Sequence, residues 1–201
     1  MRIAAHLFRK YGYHGTSMRD IAQALGVPHS AIYSHFRAKE VLCFHIIHGS
    51  LSALTEGIEA LTAKADVSPS QKLAEVIHYH LTGIVEHVDG LSVMLNDTKH
   101  LGSRHHRQVI VLRERYEGIF RKVVEQGVAK GAFRTVDARF TTSCILGMCN
   151  WVYNWYKDGQ TPPQQIADTV CSLILDGLRP APLVEATEED VAMEDTLSGG
   201  R

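Results

Sequence analysis

Residues 13–39, YHGTSMRDIAQALGVPHSAIYSHFRAK, decide the fold, because they read as two short helices joined by a tight turn. Gly15, Thr16 and Ser17 break a preceding helix. A Thr or Ser hydroxyl there can accept from the free amides of the next first turn, so a helix should start near Met18. It carries Ile21, Ala22 and Leu25 as one apolar stripe and stops at Gly26, where a positive φ costs nothing. Pro28 suits the first turn of a following helix that runs to about Phe36, since its missing N–H would have no partner there. Ala31, Ile32 and Phe36 would face inward and close a small core with Val27, Ile21 and Leu25. His29, Ser30, Tyr33, Ser34 and His35 are left facing outward, with sizes and donors suited to phosphates and base edges. Lys39, in the first turn of a fourth helix, opposes that helix's dipole and is expected to be held by a phosphate. Two helices at a tight turn are a device for laying one of them in a DNA groove.

Charge is distributed to match. The 201 residues carry a formal net charge of −1, yet residues 1–48 hold Arg2, Arg9, Lys10, Arg19, Arg37 and Lys39 against Asp20 and Glu40. The far end compensates with Glu185, Glu188, Glu189, Asp190, Glu194 and Asp195 against Arg201. A basic end and an acidic end imply a nucleic-acid-facing first domain and a disordered tail over 181–201.

Helical periodicity continues after Lys39, so the chain is expected to be all-α with about nine helices. The fourth should run from Lys39 to about Lys64, the fifth from Ser68-Pro69 with Leu73, Val76, Ile77, Leu81, Ile84 and Val85 inward. A short helix at Leu91–Asn96, a long one from Ser103 to Lys130, and two more over Asp137–Asp158 and Thr161–Leu178 complete the body. The expected division is a helix-turn-helix domain at 1–45, a ligand-binding and dimerisation domain at 46–180, and the tail. Cys43, Cys144, Cys149 and Cys171 have no CxxC spacing and read as reduced packing residues of an intracellular protein. No run reaches the roughly 18 uncharged apolar residues of a membrane span and no signal peptide is expected, so neither membrane nor secretion is anticipated.

Residues 7–42, LFRKYGYHGTSMRDIAQALGVPHSAIYSHFRAKEVL, resemble the DNA-binding domain of the TetR family of bacterial transcriptional regulators. The resemblance implies a cytoplasmic repressor, not an enzyme, that binds a near-palindromic operator as a homodimer and is released by a small molecule. By it, Ser17, Arg19, Tyr33, His35 and Lys39 contact phosphates while Pro28, His29 and Ser30 read bases. For Tyr33 and His35 the alternative is packing on the start of the fourth helix. Family members usually carry further residues before the position of Arg2, often a basic arm that could reach the minor groove, so a start upstream of Met1 is expected. The family also implies that the last two helices pair in a dimer, setting two recognition helices about 34–36 Å apart. The greasy runs CILGMCNWVYNWY and VCSLILDGL suit that role. A ligand in the body would swing the fourth helix and change the spacing of the heads, so that ligand and operator oppose each other.

The signal is sought in residues 147–159, GMCNWVYNWYKDG. Trp151 and Trp155 are four apart, as are Asn150 and Asn154, giving an aromatic wall beside an amide ladder, which suits a long apolar ligand with carbonyl oxygens. This segment and the following TPPQQIADTVCSLILDGL are similar to the branch of the family that controls lipid, sterol or aromatic catabolism and responds to acyl-CoA thioesters. Lys99, His100, Arg104, His105, His106 and Arg107, with Arg113, Arg115 and Arg121 beyond, are the candidate phosphate-binding mouth. Met94, Leu95, Leu112, Tyr116, Met148, Trp151 and Trp155 are the candidate walls, Trp155 being equally suited to a dimer seam. Three rivals stand beside this reading. An enzyme lacks any HExxH, GxSxG or phosphate-cradling loop. A metal sensor would use His45 and His48, His78 and His80 near His87, or His105 and His106. A regulator of efflux would take a lipophilic drug in the same walls. No cofactor or structural metal is called for.

Overall fold

The computed structural model describes residues 1–156 and 159–180. The expected tail and the expected end of the eighth helix at Asp158 lie outside the described residues. Among the described residues there are nine α-helices, a 3₁₀ turn and no strand. They are α1 (Arg2–Gly15), α2 (Met18–Leu25), α3 (His29–His35), α4 (Lys39–Thr62), α5 (Pro69–Glu86), α6 (Val88–Asp97), α7 (Ser103–Ala129), α8 (Ala138–Trp155) and α9 (Pro163–Leu178), with the 3₁₀ turn at Thr98–His100.

The punctuation of the head follows its local chemistry. Gly12, at φ +76°, interrupts the helical ladder of α1, and the Thr16 hydroxyl donates to the carbonyls of Gly12 and Leu7 at 3.0 and 3.1 Å. Ser17 caps α2 in a closed box: its hydroxyl accepts from the Asp20 amide, and the Asp20 carboxylate accepts from the Ser17 amide at 2.8 Å. The Ser17 hydroxyl, and after it the Ser17 amide, donate to the Asp20 carboxylate and hold it below its usual range. Gly26 takes the left-handed conformation, φ +67°, and its N–H meets the carbonyls of Ala22 and Gln23.

The head's core matches the sequence reading only in part: Ile21 and Ile32 are buried with Phe36 packed against them. Leu25 and Val27 are exposed. Ile21, Ala22 and Ile32 are instead covered by Ala4, Ala5 and Phe8 of α1, by Leu42, Cys43, Ile46 and Ile47 of α4, and by Val93, Leu101 and Val109 from the body. A helix pair of this size has too little apolar surface to bury itself, so it borrows the flanks of α1, α4 and α6. Polar contacts tie the same junction. Asp89 accepts from Arg9 at 3.2 Å and lies 3.3 Å from His6, while Glu40 accepts from the Gly102 amide at 3.1 Å and pairs with His105 at 2.6 Å.

α4 passes from this core into the second one, where Leu51, Leu54 and Ile58 meet Leu73, Ile77, Leu81, Phe120, Val124, Ile145 and Val152. By length and mean composition α4 is apolar enough to cross a membrane, although Glu40 and Glu56 confine its uncharged run to residues 41–55, so the expectation that no uncharged run reaches a span's length stands. Its buried side chains are shared between the two cores. In the body α4 packs on α5, α6 and α7, and α5 on α8 and α9. Burial pushes the thiols of Cys43 and Cys149 up to about 12, so both are protonated packing residues, whereas Cys144 is exposed and does not fit that reading.

Candidate nucleic-acid interface and effector cavity

α3 presents Pro28, His29, Ser30, Tyr33 and His35 to solvent, with Arg19 of α2 exposed nearby in the same head. His29 and Tyr33, one turn apart, meet edge to face at 4.8 Å, so the two rings brace one another on the outward side of the helix. Tyr33 and His35 are both exposed along their helix, as a DNA-facing role requires.

Two of the residues expected on DNA are engaged within the protein. The Ser17 hydroxyl serves the α2 cap and donates to Asp20 at 2.7 Å. Lys39 is the clearer correction. Its ammonium donates to the carbonyls of Tyr13 and Thr16 at 2.6 and 2.9 Å and sits 4.3 Å from the Tyr13 ring centroid. The end of α1 leaves carbonyls without intrahelical partners, and a cation there satisfies them and the dipole together. In the chain without DNA, the cation that α4's own dipole disfavours is thus held by the end of α1.

The body holds three adjoining spaces. An open groove of about 470 Å³ runs along the start of α7, lined by Leu101, Ser103, His106, Arg107 and Ile110. Ile110 also lines an inner chamber of about 40 Å³, whose walls include His80, Met94, Arg113, Tyr116, Leu146 and Asn150. Leu54 and Met94 in turn are shared with a cleft of about 440 Å³ between α1, α4, α5 and α6, where Ala53, Ile84, Leu91 and Gly83 supply small or apolar walls. The cleft lies within the usual size range of small-molecule sites.

Of the expected effector residues, Met94, Arg113 and Tyr116 line the chamber. Leu112 is half-buried against the body core and lines none of the three spaces. Arg104 is exposed next to the groove. The aromatic wall is a correction: Met148, Trp151 and Trp155 are 45%, 65% and 49% exposed and face away from the cavities. They continue a stripe begun by Phe140 and Cys144 on the outer side of α8, while Thr142, Ile145, Leu146, Cys149 and Val152 fill the inner side. α8 is apolar around most of its circumference, and the larger rings went outward because the space against α5 and α7 is already filled by Phe120, Tyr116 and the aliphatic chains around them. Of the amide ladder only Asn150 reaches a cavity, and Asn154 is exposed.

The basic mouth is partly neutralised. Arg113 pairs with Glu117 at 2.8 Å, Arg115 with Glu59 through two contacts of 2.7 Å, and Arg121 with Glu125 at 3.9 Å. Among the described residues Lys99, Arg104 and Arg107 make no ion pair, so the uncompensated cations of the mouth sit on the 3₁₀ turn and the start of α7. The histidine pairs weighed as metal ligands are drawn into other contacts: His78 faces Asp168, His105 holds Glu40 and stacks on Phe44, and His45 lies against Phe36 and Phe44.

The residue that sequence reasoning missed is His80, which it weighed only as a metal ligand. It is 2% exposed, and burial lowers its pKa to about 4, so the ring is neutral. Its Nδ1 and the Tyr116 hydroxyl share a short hydrogen bond. The signal was available in the spacing, since position 80 continues the buried 73, 76, 77 register of α5.

Residues 1–46 match the family model described as bacterial regulatory proteins, tetR family, and residues 66–178 match that of a tetracyclin repressor-like C-terminal domain. The chain belongs to the TetR family. It is therefore a DNA-binding transcriptional regulator, not an enzyme, and the all-helical layout is the family's. Among curated TetR-family relatives, the HTH-type transcriptional repressor KstR2 of Rhodococcus jostii is 26% identical over 188 residues, covering 88% of this chain and 87% of its own. Among solved structures, the TetR-family regulator PfmR of Thermus thermophilus is 33% identical with a TM-score of 0.82, covering 90% of this chain and all of its own. AibR, solved in complex with isovaleryl coenzyme A and operator DNA, is 25% identical with a TM-score of 0.78, covering 86% of this chain and 94% of its own.

Proposed function

We propose that this TetR-family protein is a cytoplasmic homodimeric repressor of a catabolic pathway, released from a near-palindromic operator by an acyl-CoA thioester. The carrying observation is the adjacency of groove, chamber and cleft, which share Ile110 and then Leu54 and Met94 as common walls. One end offers His106 and Arg107 at a helix start, the arrangement that phosphates favour. The other end offers an apolar space large enough for a medium-length acyl chain. A phosphate-bearing head joined to a greasy tail matches that polarity, and the complex of AibR with isovaleryl coenzyme A is a precedent within the family.

On the DNA side, Pro28, His29 and Ser30 are assigned to bases, and Arg19, Tyr33 and His35 to phosphates. Ser17 and Lys39 act by holding α2 and α4 in place. The division into a head at 1–45 and a body at 46–180 is kept as a functional one, with α4 continuous across it. The outer stripe of α8, with exposed Leu173 of α9, is assigned to the dimer contact, since an apolar surface of that extent calls for a partner.

The test is operator release. Duplexes selected by the protein from a random pool serve as the operator, and fluorescence anisotropy follows their release by isovaleryl-CoA, octanoyl-CoA, free CoA and the lipophilic cation rhodamine 6G. Release by a thioester at micromolar concentration, and not by free CoA, supports the reading. Release by rhodamine 6G alone overturns it in favour of an efflux regulator.

A further inference from the structure

The chamber between the groove and the cleft is too small for an effector but about right for one polar group on its way through, since a water molecule's share of liquid is about 30 Å³. Part of its polar lining is engaged elsewhere. Arg113 and Glu117 hold each other, and the Thr98 hydroxyl donates to the Met94 carbonyl at 2.5 Å. Two atoms are left over: His80 Nε2 and Asn150 Oδ1 are buried and make no hydrogen bond. Asn150 lies close enough to favour a proton on His80 through a hydrogen-bond-like contact, but the geometry between them falls short of a formed hydrogen bond.

Their roles follow from Tyr116. Burial holds its phenol protonated, far above the usual value, and the one partner of its hydroxyl among the described residues is His80 Nδ1. A phenol that must donate makes Nδ1 the acceptor, so the neutral imidazole carries its hydrogen on Nε2. The chamber thus presents one unpaired donor, His80 Nε2–H, beside one unpaired acceptor, Asn150 Oδ1. Leaving either unsatisfied in the interior is costly. A ketone or thioester carbonyl accepts only and would satisfy His80 alone. A hydroxyl accepts from His80 and donates to Asn150 at once.

We propose that His80 and Asn150 form a hydroxyl-reading pair, and that the preferred effectors are acyl thioesters carrying a hydroxyl on the acyl chain close to the thioester, as in a 3-hydroxyacyl-CoA. The position along the chain rests on the acyl-CoA reading: with the phosphates and the pantetheine arm along the groove and the acyl terminus in the cleft, the first acyl carbons fall at the chamber. Tyr116 acts as a positioning residue, because it sets which nitrogen of His80 is the donor.

Isothermal titration of the purified protein with octanoyl-CoA, 3-ketooctanoyl-CoA and 3-hydroxyoctanoyl-CoA, and in parallel with free octanoic and 3-hydroxyoctanoic acids, tests this. The hydroxy thioester should bind about tenfold more tightly than the saturated one, the gain expected of a satisfied buried pair. That preference, read as the ratio of hydroxy to saturated affinity within each variant, should vanish in His80→Phe and in Asn150→Leu. It should persist in part in His80→Gln, which keeps an N–H donor. Circular dichroism identifies a variant that fails to fold, and the Asn150→Leu arm then decides. Equal affinity for hydroxy and saturated ligands in the wild type, or a preference that survives Asn150→Leu, overturns the pair. A preference seen only with the free acids supports the pair and overturns the CoA reading. Binding of neither series overturns both.

Discussion

α3 and α8 each present a side-chain face on which a function was expected, and the two behaved differently. In α3 the outward residues are polar and the inward ones apolar, so orientation followed from solvent alone, and Pro28, His29, Ser30, Tyr33 and His35 stand where the sequence put them. In α8 both sides are apolar. Periodicity correctly grouped Met148, Trp151 and Trp155, but it could not say whether that group faced a cavity or the outside, and it faces outside. Amphipathic contrast carries direction, whereas a helix that is apolar all round takes its direction from what the other helices have already filled.

The comparison breaks if the α8 stripe is not a contact surface. Trp151→Asp combined with Trp155→Asp should convert the protein to monomers in analytical ultracentrifugation and weaken operator binding about a thousandfold, through loss of the second linked head. A dimer that persists would leave the tryptophans on the solvent-exposed surface of each protomer and place the dimer contact elsewhere.

Inside the body, the same contrast predicts a pH effect centred on His80. Its imidazole titrates near 6.5 when free and at about 4 in the core. Between those values the unfolded chain binds more protons than the folded one, so stability present above 6.5 declines as the pH falls toward 4. The loss should reach about 3 kcal/mol for a group this buried. Chemical unfolding at pH 7, 5.5 and 4.5 should show that decline in the wild type and a flatter profile in His80→Gln.

On α3, Tyr33→Ala should weaken binding several-fold, about one hydrogen bond's worth, on any operator sequence, with the effector affinity untouched. Unchanged anisotropy curves would make Tyr33 a brace for His29 only. The smallest effect is expected at Val27, exposed despite its expected place in the head's core. Val27→Thr should change stability by no more than about 0.5 kcal/mol, and a loss several times larger would restore the core drawn from the sequence.

The sequence by itself determined the helices and their punctuation, because caps, left-handed glycines and prolines act within a few residues: Ser17 with Asp20, Gly26 at φ +67°, and Ser68 capping α5 through the Gln71 amide at 3.2 Å are all local. It also determined the outward face of α3 and, through LFRKYGYHGTSMRDIAQALGV, the family. Tertiary structure decided the rest. Whether Lys39 meets a phosphate or the end of α1 depends on carbonyls 26 and 23 residues earlier in the chain, and the pairing of His80 with Tyr116 joins residues 36 apart. The orientation of α8 depends on four neighbouring helices at once. Local hydrogen-bond chemistry is written in adjacent letters, but the direction of an apolar helix and the partners of a buried polar group are set by the space that distant segments leave.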